Sequence, residues 1–269
     1  MTTNPFEQLF AGDLFVRRRR VADAKGTLLF IHGLGESGLG FESLFSMPSL
    51  ADWSLLVPDL AGYGKSPWPD APIGLDGHAD LLARWSATQT DGPVVIVGHS
   101  MGGAIGTAFA ERAPERTRAF FNIEGNVTVD DCTFSGPMAA QELADFVASG
   151  FEGMRREVYA AGVDDLPLRT YFASLQLCDP RTFHRDAREL VAVSEQENLA
   201  LRLAALGIPA IYLYGSPRGT AARSRGHLAD AEIEIVAIDE AGHWPWIDQP
   251  EAFEQALAAF LGSLDEASA

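Results

Sequence analysis

The chain has 269 residues, 47% hydrophobic and 21% charged, the make-up of an ordinary globular protein and not of a disordered one. Its 20 basic against 37 acidic residues give a formal charge of −17, a surface that repels phosphate backbones and anionic lipid heads, so neither nucleic acid nor membrane is an expected partner. Two cysteines, Cys132 and Cys178, are too few for a disulfide framework, and neither cysteines nor histidines show ligand spacing, so no metal is expected; no motif calls for another cofactor either.

The amino-terminal MTTNPFEQLFAGDLF lacks a basic start followed by an apolar run, and so does not read as a secretory signal. No stretch approaches the roughly 18 apolar residues of a membrane span. A soluble, cytoplasmic protein is the expectation. Leu14–Val21 reads as an edge strand whose arginines, Arg17 to Arg20, face solvent and blunt the edge. Six later runs, Thr27–Ile31, Trp53–Val57, Pro93–Val97, Ala119–Ile123, Ile208–Tyr214 and Ile233–Ile238, are mostly apolar throughout instead of alternating, as strands buried on both faces of a parallel sheet are. Helical spacing links Leu81, Leu82 and Trp85, then Ile105, Ala108 and Phe109, and finally Phe253, Leu257, Phe260 and Leu264. Between Glu124 and Ile208 no buried strand is evident. Apolar stripes appear there at Leu143, Phe146 and Val147, at Tyr171, Phe172 and Leu175, and at Leu190 with Val191. That interval is far too long for a simple crossover. An α/β core made of residues 1–125 and 207–269, with a helical cap (lid) at 126–206, accounts for the pattern.

Three short motifs carry chemistry. In Gly98-His99-Ser100-Met101-Gly102, a serine stands between a buried strand and a helix, where flanking side chains would clash and glycine is needed. Such a turn lifts the hydroxyl clear of the sheet, and the helix start behind it favours developing negative charge. Ser100 is therefore the candidate nucleophile. His32-Gly33-Leu34-Gly35 follows TLLFI; with His32 read as a structural histidine, the backbone N–H groups of Leu34 and Met101 are the natural pair to hold an oxyanion. In Ala241-Gly242-His243-Trp244-Pro245, His243 supplies a base of suitable pKa in the expected chain order. His78, His184 and His227 read as surface residues, and His99 as pointing away from the serine. Trp244, Phe134, Met138 and Tyr171 are candidate walls of an apolar substrate cavity.

Together DLAGYGKS (Asp59–Ser66), HGLG, GHSMGG and AGHWP resemble the α/β-hydrolase superfamily, in its capped, esterase-like branch, across about Leu14 to Leu264. The resemblance implies a mostly parallel sheet of seven or eight strands, helices on both faces, and a Ser-His-acid triad beneath a helical lid. It also implies that the Asp59 turn shapes the pocket rim. The commonest family pattern places an aspartate in the loop after the strand that follows the cap, but here that loop reads Gly215-Ser216-Pro217-Arg218-Gly219. An alternative arrangement ends the strand before the cap with the acid, and Glu124 stands there. An unpaired carboxylate ending a buried strand is costly, and orienting a histidine gives it a reason. Asp130, Asp131 and Asp239 are the competing acids. The expected function is hydrolysis of a carboxylic ester of a small, largely apolar molecule through an acyl-serine intermediate, by a monomer or homodimer. A lactone, thioester or C–C bond hydrolase, or a non-hydrolytic small-molecule receptor or biosynthetic catalyst, is the alternative.

Overall fold

All six apolar runs become strands of a single eight-stranded sheet in the computed structural model, which describes residues 7–266. Part of the amino-terminal stretch read for a secretory signal, residues 1–6, lies outside the described residues. The strands are β1 (Glu7–Ala11), β2 (Leu14–Arg19), β3 (Thr27–Ile31), β4 (Ser54–Pro58), β5 (Val94–His99), β6 (Thr117–Ile123), β7 (Ala210–Pro217) and β8 (Glu234–Ala241). Their order is β1-β2-β4-β3-β5-β6-β7-β8; β2 pairs antiparallel with both β1 and β4, and every other pairing is parallel.

Alternation along each central strand sends neighbouring side chains to opposite faces. Leu29, Ile31, Val94, Ile96 and Phe120 join the layer containing α1 (Gly74–Gln89) and α2 (Met101–Arg112). Leu28, Phe30, Val95, Val97 and Phe121 join the opposite layer, closed by Phe253, Leu257, Phe260 and Leu264 of the final helix. Both faces are thus covered, which is why the runs do not alternate with polar residues. Among the described residues no helix is long and apolar enough to cross a membrane.

The amino-terminal expectation needs correction. β2 is not the edge, because β1 pairs outside it. Arg17 and Arg19 are buried, not solvent-facing. Arg17 reaches Asp59 at 2.6 Å and Glu42 at 2.7 Å, while Arg19 donates to the carbonyls of Phe45 (2.6 Å) and Leu50. The extra strand turned a presumed rim into interior, and each cation there found acceptors.

Between β6 and β7 the chain is helical: α3 (Ser135–Ala139), α4 (Leu143–Asp145), a π-turn (Phe146–Gly150), α5 (Phe151–Ala161), α6 (Leu166–Leu175), α7 (Pro180–Glu195) and α8 (Leu199–Ala205). Phe146, Phe151 and Phe183 form its aromatic centre, with ring centroids 5.6 to 5.7 Å apart. The stripe expected around Phe146 is narrower than its spacing suggests, since Leu143 and Val147 are 46% and 42% exposed where the helix changes pitch. A buried polar cluster fixes the insertion to the sheet layer. Asp186 of α7 accepts from the Tyr63 hydroxyl at 2.6 Å and pairs with His78 Nε2 of α1 at 2.9 Å. His78 and His184 are therefore not surface residues; both are buried, and His184 Nε2 bonds the Gln141 carbonyl at 2.7 Å. α9 (Ala222–Asp230), α10 (Pro245–Asp248) and α11 (Pro250–Glu266) complete the chain.

Candidate active site

The chain leaves β3 toward β4 on one side of the sheet and resumes at β5 on the other, so the carboxyl ends of β3 and β5 flank a topological switch point, where open α/β sheets make their binding crevices. The HGLG loop leaves β3 there, and Ser100 leaves β5. Ser100 adopts φ +52° and ψ −121°, a conformation that a side chain rarely tolerates. The glycines around it make room: a Cβ on Gly102 would stand 2.1 Å from the Ile31 carbonyl oxygen, and one on Gly98 2.6 Å from that of Gly102.

The row continues across the sheet. The Ser100 amide donates to the Ile123 carbonyl at the end of β6, and the Glu124 amide to that of Leu213 in β7. Glu124 also has positive φ, +52°. Its buried carboxylate takes three contacts. Oε1 accepts from the Gly215 amide (2.6 Å), and Oε2 accepts from the Thr220 hydroxyl (3.1 Å) and faces His243 Nδ1 (3.4 Å). The competing acids are placed otherwise. Asp131 is engaged by the amides of Val127, Thr128 and Ala221 and by the Ser224 hydroxyl. Asp130 lies near Arg223 at 3.7 Å, and Asp239 is exposed on β8.

His243 turns its Nδ1 to Glu124, and its side chain keeps 39% of its surface, open to the cavity. Desolvation pulls the imidazolium pKa down, but the hydrogen bond and charge of Glu124, aided by Glu36 and Asp131, outweigh it and hold it above the ordinary histidine value.

Ser100, Glu124 and His243 line one cavity of about 480 Å³, within the range that suits a small molecule. Leu34, Leu168, Tyr171, Leu190, Phe134 and Trp244 form its apolar wall, while Asn126, Thr133, Ser135 and Arg218 contribute polar surface. Of the wall residues expected from sequence, Trp244, Phe134 and Tyr171 are there. Met138 is not among the lining residues; it packs on the core beside Gln141. Asp59 is not there either. Fully buried, it accepts from Arg17, Gly38 and Lys65, and so anchors the loop instead of shaping the rim.

His32 is indeed structural: its Nε2 accepts from the Leu60 amide at 3.0 Å, so Nδ1 carries the proton, donated to the Gly33 carbonyl at 2.9 Å. Burial lowers its pKa, keeping it neutral. Neither the Leu34 nor the Met101 amide has a hydrogen-bond partner among the described residues. Sequence reasoning passed over Glu36 and the contacts of His99. Glu36 takes the Gly33 amide (2.7 Å), His99 Nδ1 (3.0 Å) and the Trp244 indole (2.6 Å). A lone acid one residue after HGLG, behind a buried strand, was its signal.

A family model described as the α/β-hydrolase fold matches residues 26–183. The chain belongs to the α/β-hydrolase family. Within this family it is 38% identical over 103 residues, 38% of each chain, to the lipase LipV of Mycobacterium tuberculosis. It is 23% identical to a pimeloyl-[acyl-carrier protein] methyl ester esterase of Neisseria meningitidis, over 93% of this chain and 82% of that one. Among solved α/β-hydrolase-like folds, the N-acyl homoserine lactonase AidH superposes with a TM-score of 0.72 at 21% identity, covering 97% of both chains.

Proposed function

We propose that this α/β-hydrolase is a serine hydrolase that cleaves a carboxylic ester of a small, largely apolar molecule, with Ser100, His243 and Glu124 as its triad. The observation that carries the reading is the meeting, in one cavity, of a serine on a strained elbow and a histidine whose Nδ1 faces a buried carboxylate. The lipase and methyl ester esterase among its relatives favour the same bond.

In this mechanism Ser100 Oγ attacks the carbonyl carbon while its proton passes to His243 Nε2, and the Leu34 and Met101 amides hold the oxyanion. Collapse breaks the ester C–O bond, and the imidazolium returns the proton to the departing alcohol. Water then attacks the acyl-serine carbonyl, giving a proton to His243; the carboxylic acid leaves as Oγ regains it. Glu124 fixes the tautomer and stabilises the imidazolium in both halves. Residues 126–206 act as the lid over the cavity, and the two buried free thiols suit the reducing cytoplasm.

A lactone is the second reading, favoured by the likeness to AidH, because a cyclic ester opens by the same steps. A panel of p-nitrophenyl esters of rising acyl length, with lactones beside it, separates the two. Ser100→Ala should lose at least about a thousandfold in kcat while melting like the wild type. Stoichiometric capture of a fluorophosphonate at Ser100 supports the nucleophile; absence of capture with tight ligand binding points to a receptor.

A further inference from the structure

A second polar pair lies beneath Ser100, and the proposed reaction does not use it. His99 is fully buried, and both of its ring nitrogens face acceptors. Nδ1 is 3.0 Å from Glu36 Oε2, and Nε2 is 2.8 Å from the backbone carbonyl oxygen of His243. A carbonyl oxygen has no proton to give, so Nε2 must carry one. The second proton is shared along Nδ1···Oε2, and its position follows from what else Glu36 touches. Oε2 already accepts from the Gly33 amide at 2.7 Å, and Oε1 from the Trp244 indole at 2.6 Å. Two donors already converge on this one group before His99 is counted, the surroundings of a carboxylate and not of a carboxylic acid.

We infer that His99 is a buried imidazolium paired with the Glu36 carboxylate, and that the pair is a positioning device clamping the oxyanion loop to the loop that carries His243. The clamp has one arm on each side of the reacting centre. Glu36 holds Gly33, next to the Leu34 amide. His99 holds the main chain of His243, and Trp244 ties back to Glu36. The groups facing His99 are Glu36 from the loop after β3, the His243 ring at 4.7 Å, and the indoles of Trp244 and Trp246, the latter edge-on at 4.7 Å. Glu36, 3.0 Å from Nδ1, is the carboxylate in contact with the His99 ring and so its counter-ion. Burial alone would raise the Glu36 pKa, yet the charge of His99 and the hydrogen bonds from His99, Gly33 and Trp244 bring it down to about 2, in keeping with the geometry.

The protonation state stands independently of the proposed activity; the positioning role rests on it. The test has one arm for each. In the whole chain, nitrogen-15 NMR of the histidine rings at neutral pH should give His99 two directly bonded N–H pairs, both slow to exchange. A single N–H, with Nδ1 unprotonated, would overturn the imidazolium. For the second arm, Glu36→Gln should lower kcat on a p-nitrophenyl ester by about ten- to a hundredfold with KM changed less than about twofold, because the donors are misplaced and not the binding wall. Fluorophosphonate capture at Ser100 should slow in parallel, and Glu36→Asp should recover part of the rate. Unchanged kcat in folded Glu36→Gln would overturn the clamp. If that variant does not fold, Glu36→Asp, which keeps the charge but shortens its reach to His99, Gly33 and Trp244, should give a smaller loss of kcat of the same kind, an unchanged kcat counting against the clamp. Failure of the wild type to capture the probe would sink the esterase reading and leave the His99 spectrum to be judged by itself.

Discussion

A Cβ on Gly219 would stand 2.0 Å from Oε1 of Glu124. In the loop after β7, where the commonest α/β-hydrolases carry their acid, Gly219 leaves open the space that the carboxylate arriving from β6 occupies. Gly215 of β7 gives it an amide, and Thr220 of the loop a hydroxyl. Acid and glycine are therefore one feature. Gly219→Ala should push Glu124 off His243 and lower kcat by about ten- to a hundredfold, with KM little changed. Gly262→Ala, which meets nothing within 4 Å, is the control and should leave turnover intact. Steady-state kinetics on one ester decide it, and a fully active Gly219→Ala would separate loop from acid.

The raised pKa of His243 predicts the pH profile. A general base works only when neutral, so the acidic limb of kcat/KM should lie above the ordinary histidine value of about 6.5. Glu124→Gln removes the hydrogen bond and charge that lift the pKa and leaves the desolvation that lowers it. The limb should shift to lower pH while the plateau rate falls. Because the folded pKa is raised, the pair stabilises the fold fully at low pH and loses that contribution as pH rises through the folded value. A profile of kcat/KM with an uncharged ester tests this, and an inflection unmoved by Glu124→Gln would contradict it.

Glu36 has the opposite sign. Its pKa is depressed from 4.5 to about 2, so its contribution to stability is complete above the unfolded value and disappears as pH falls through the folded one. The window is therefore about pH 4.5 down to about 2, and the full contribution is of order 3 kcal/mol. Glu36→Gln should be clearly less stable than the wild type at neutral pH, with the gap closing toward pH 2. Urea denaturation at several pH values measures it. A gap independent of pH would mean that Glu36 acts by shape alone.

How much of this was legible depended on whether the information was local. Gly98 to Gly102 could be read because the elbow's steric demand is met within five residues, and the six buried runs because a sheet covered on both faces leaves its mark on each strand separately. The meeting of Glu124 with His243 could be anticipated because a charge ending an apolar strand needs an explanation. Arg17, Arg19, His78 and His184 could not. Each is a polar residue whose burial depends on an acceptor far along the chain: Asp59 and Glu42, the carbonyls of Phe45 and Leu50, Asp186, and the Gln141 carbonyl. Taken alone, such residues resemble surface ones. Met138 failed for the converse reason, since helical spacing says that a side chain is apolar and covered but not whether core or cavity covers it.

Arg17 and Asp59 offer the sharpest check on those hidden contacts. Asp59 Oδ1 accepts from Arg17 at 2.6 Å and from the Gly38 amide at 2.7 Å, while Oδ2 accepts from the Lys65 amide at 2.8 Å. Gly38 opens the 3-10 segment that follows the HGLG loop, so the pair fixes where that loop ends. Removing one partner strands a buried charge. Arg17→Met alone should cost about 3–5 kcal/mol, a fall in Tm of very roughly 6–20 °C for a chain of this size. Arg17→Met with Asp59→Asn removes both charges and should cost less than the sum of the two single variants, since neither ion is then left unpaired. Thermal and urea melts of the four proteins close the cycle. Strict additivity would mean that the two residues hold the fold separately, and an Arg17→Met as stable as the wild type would return that arginine to the surface.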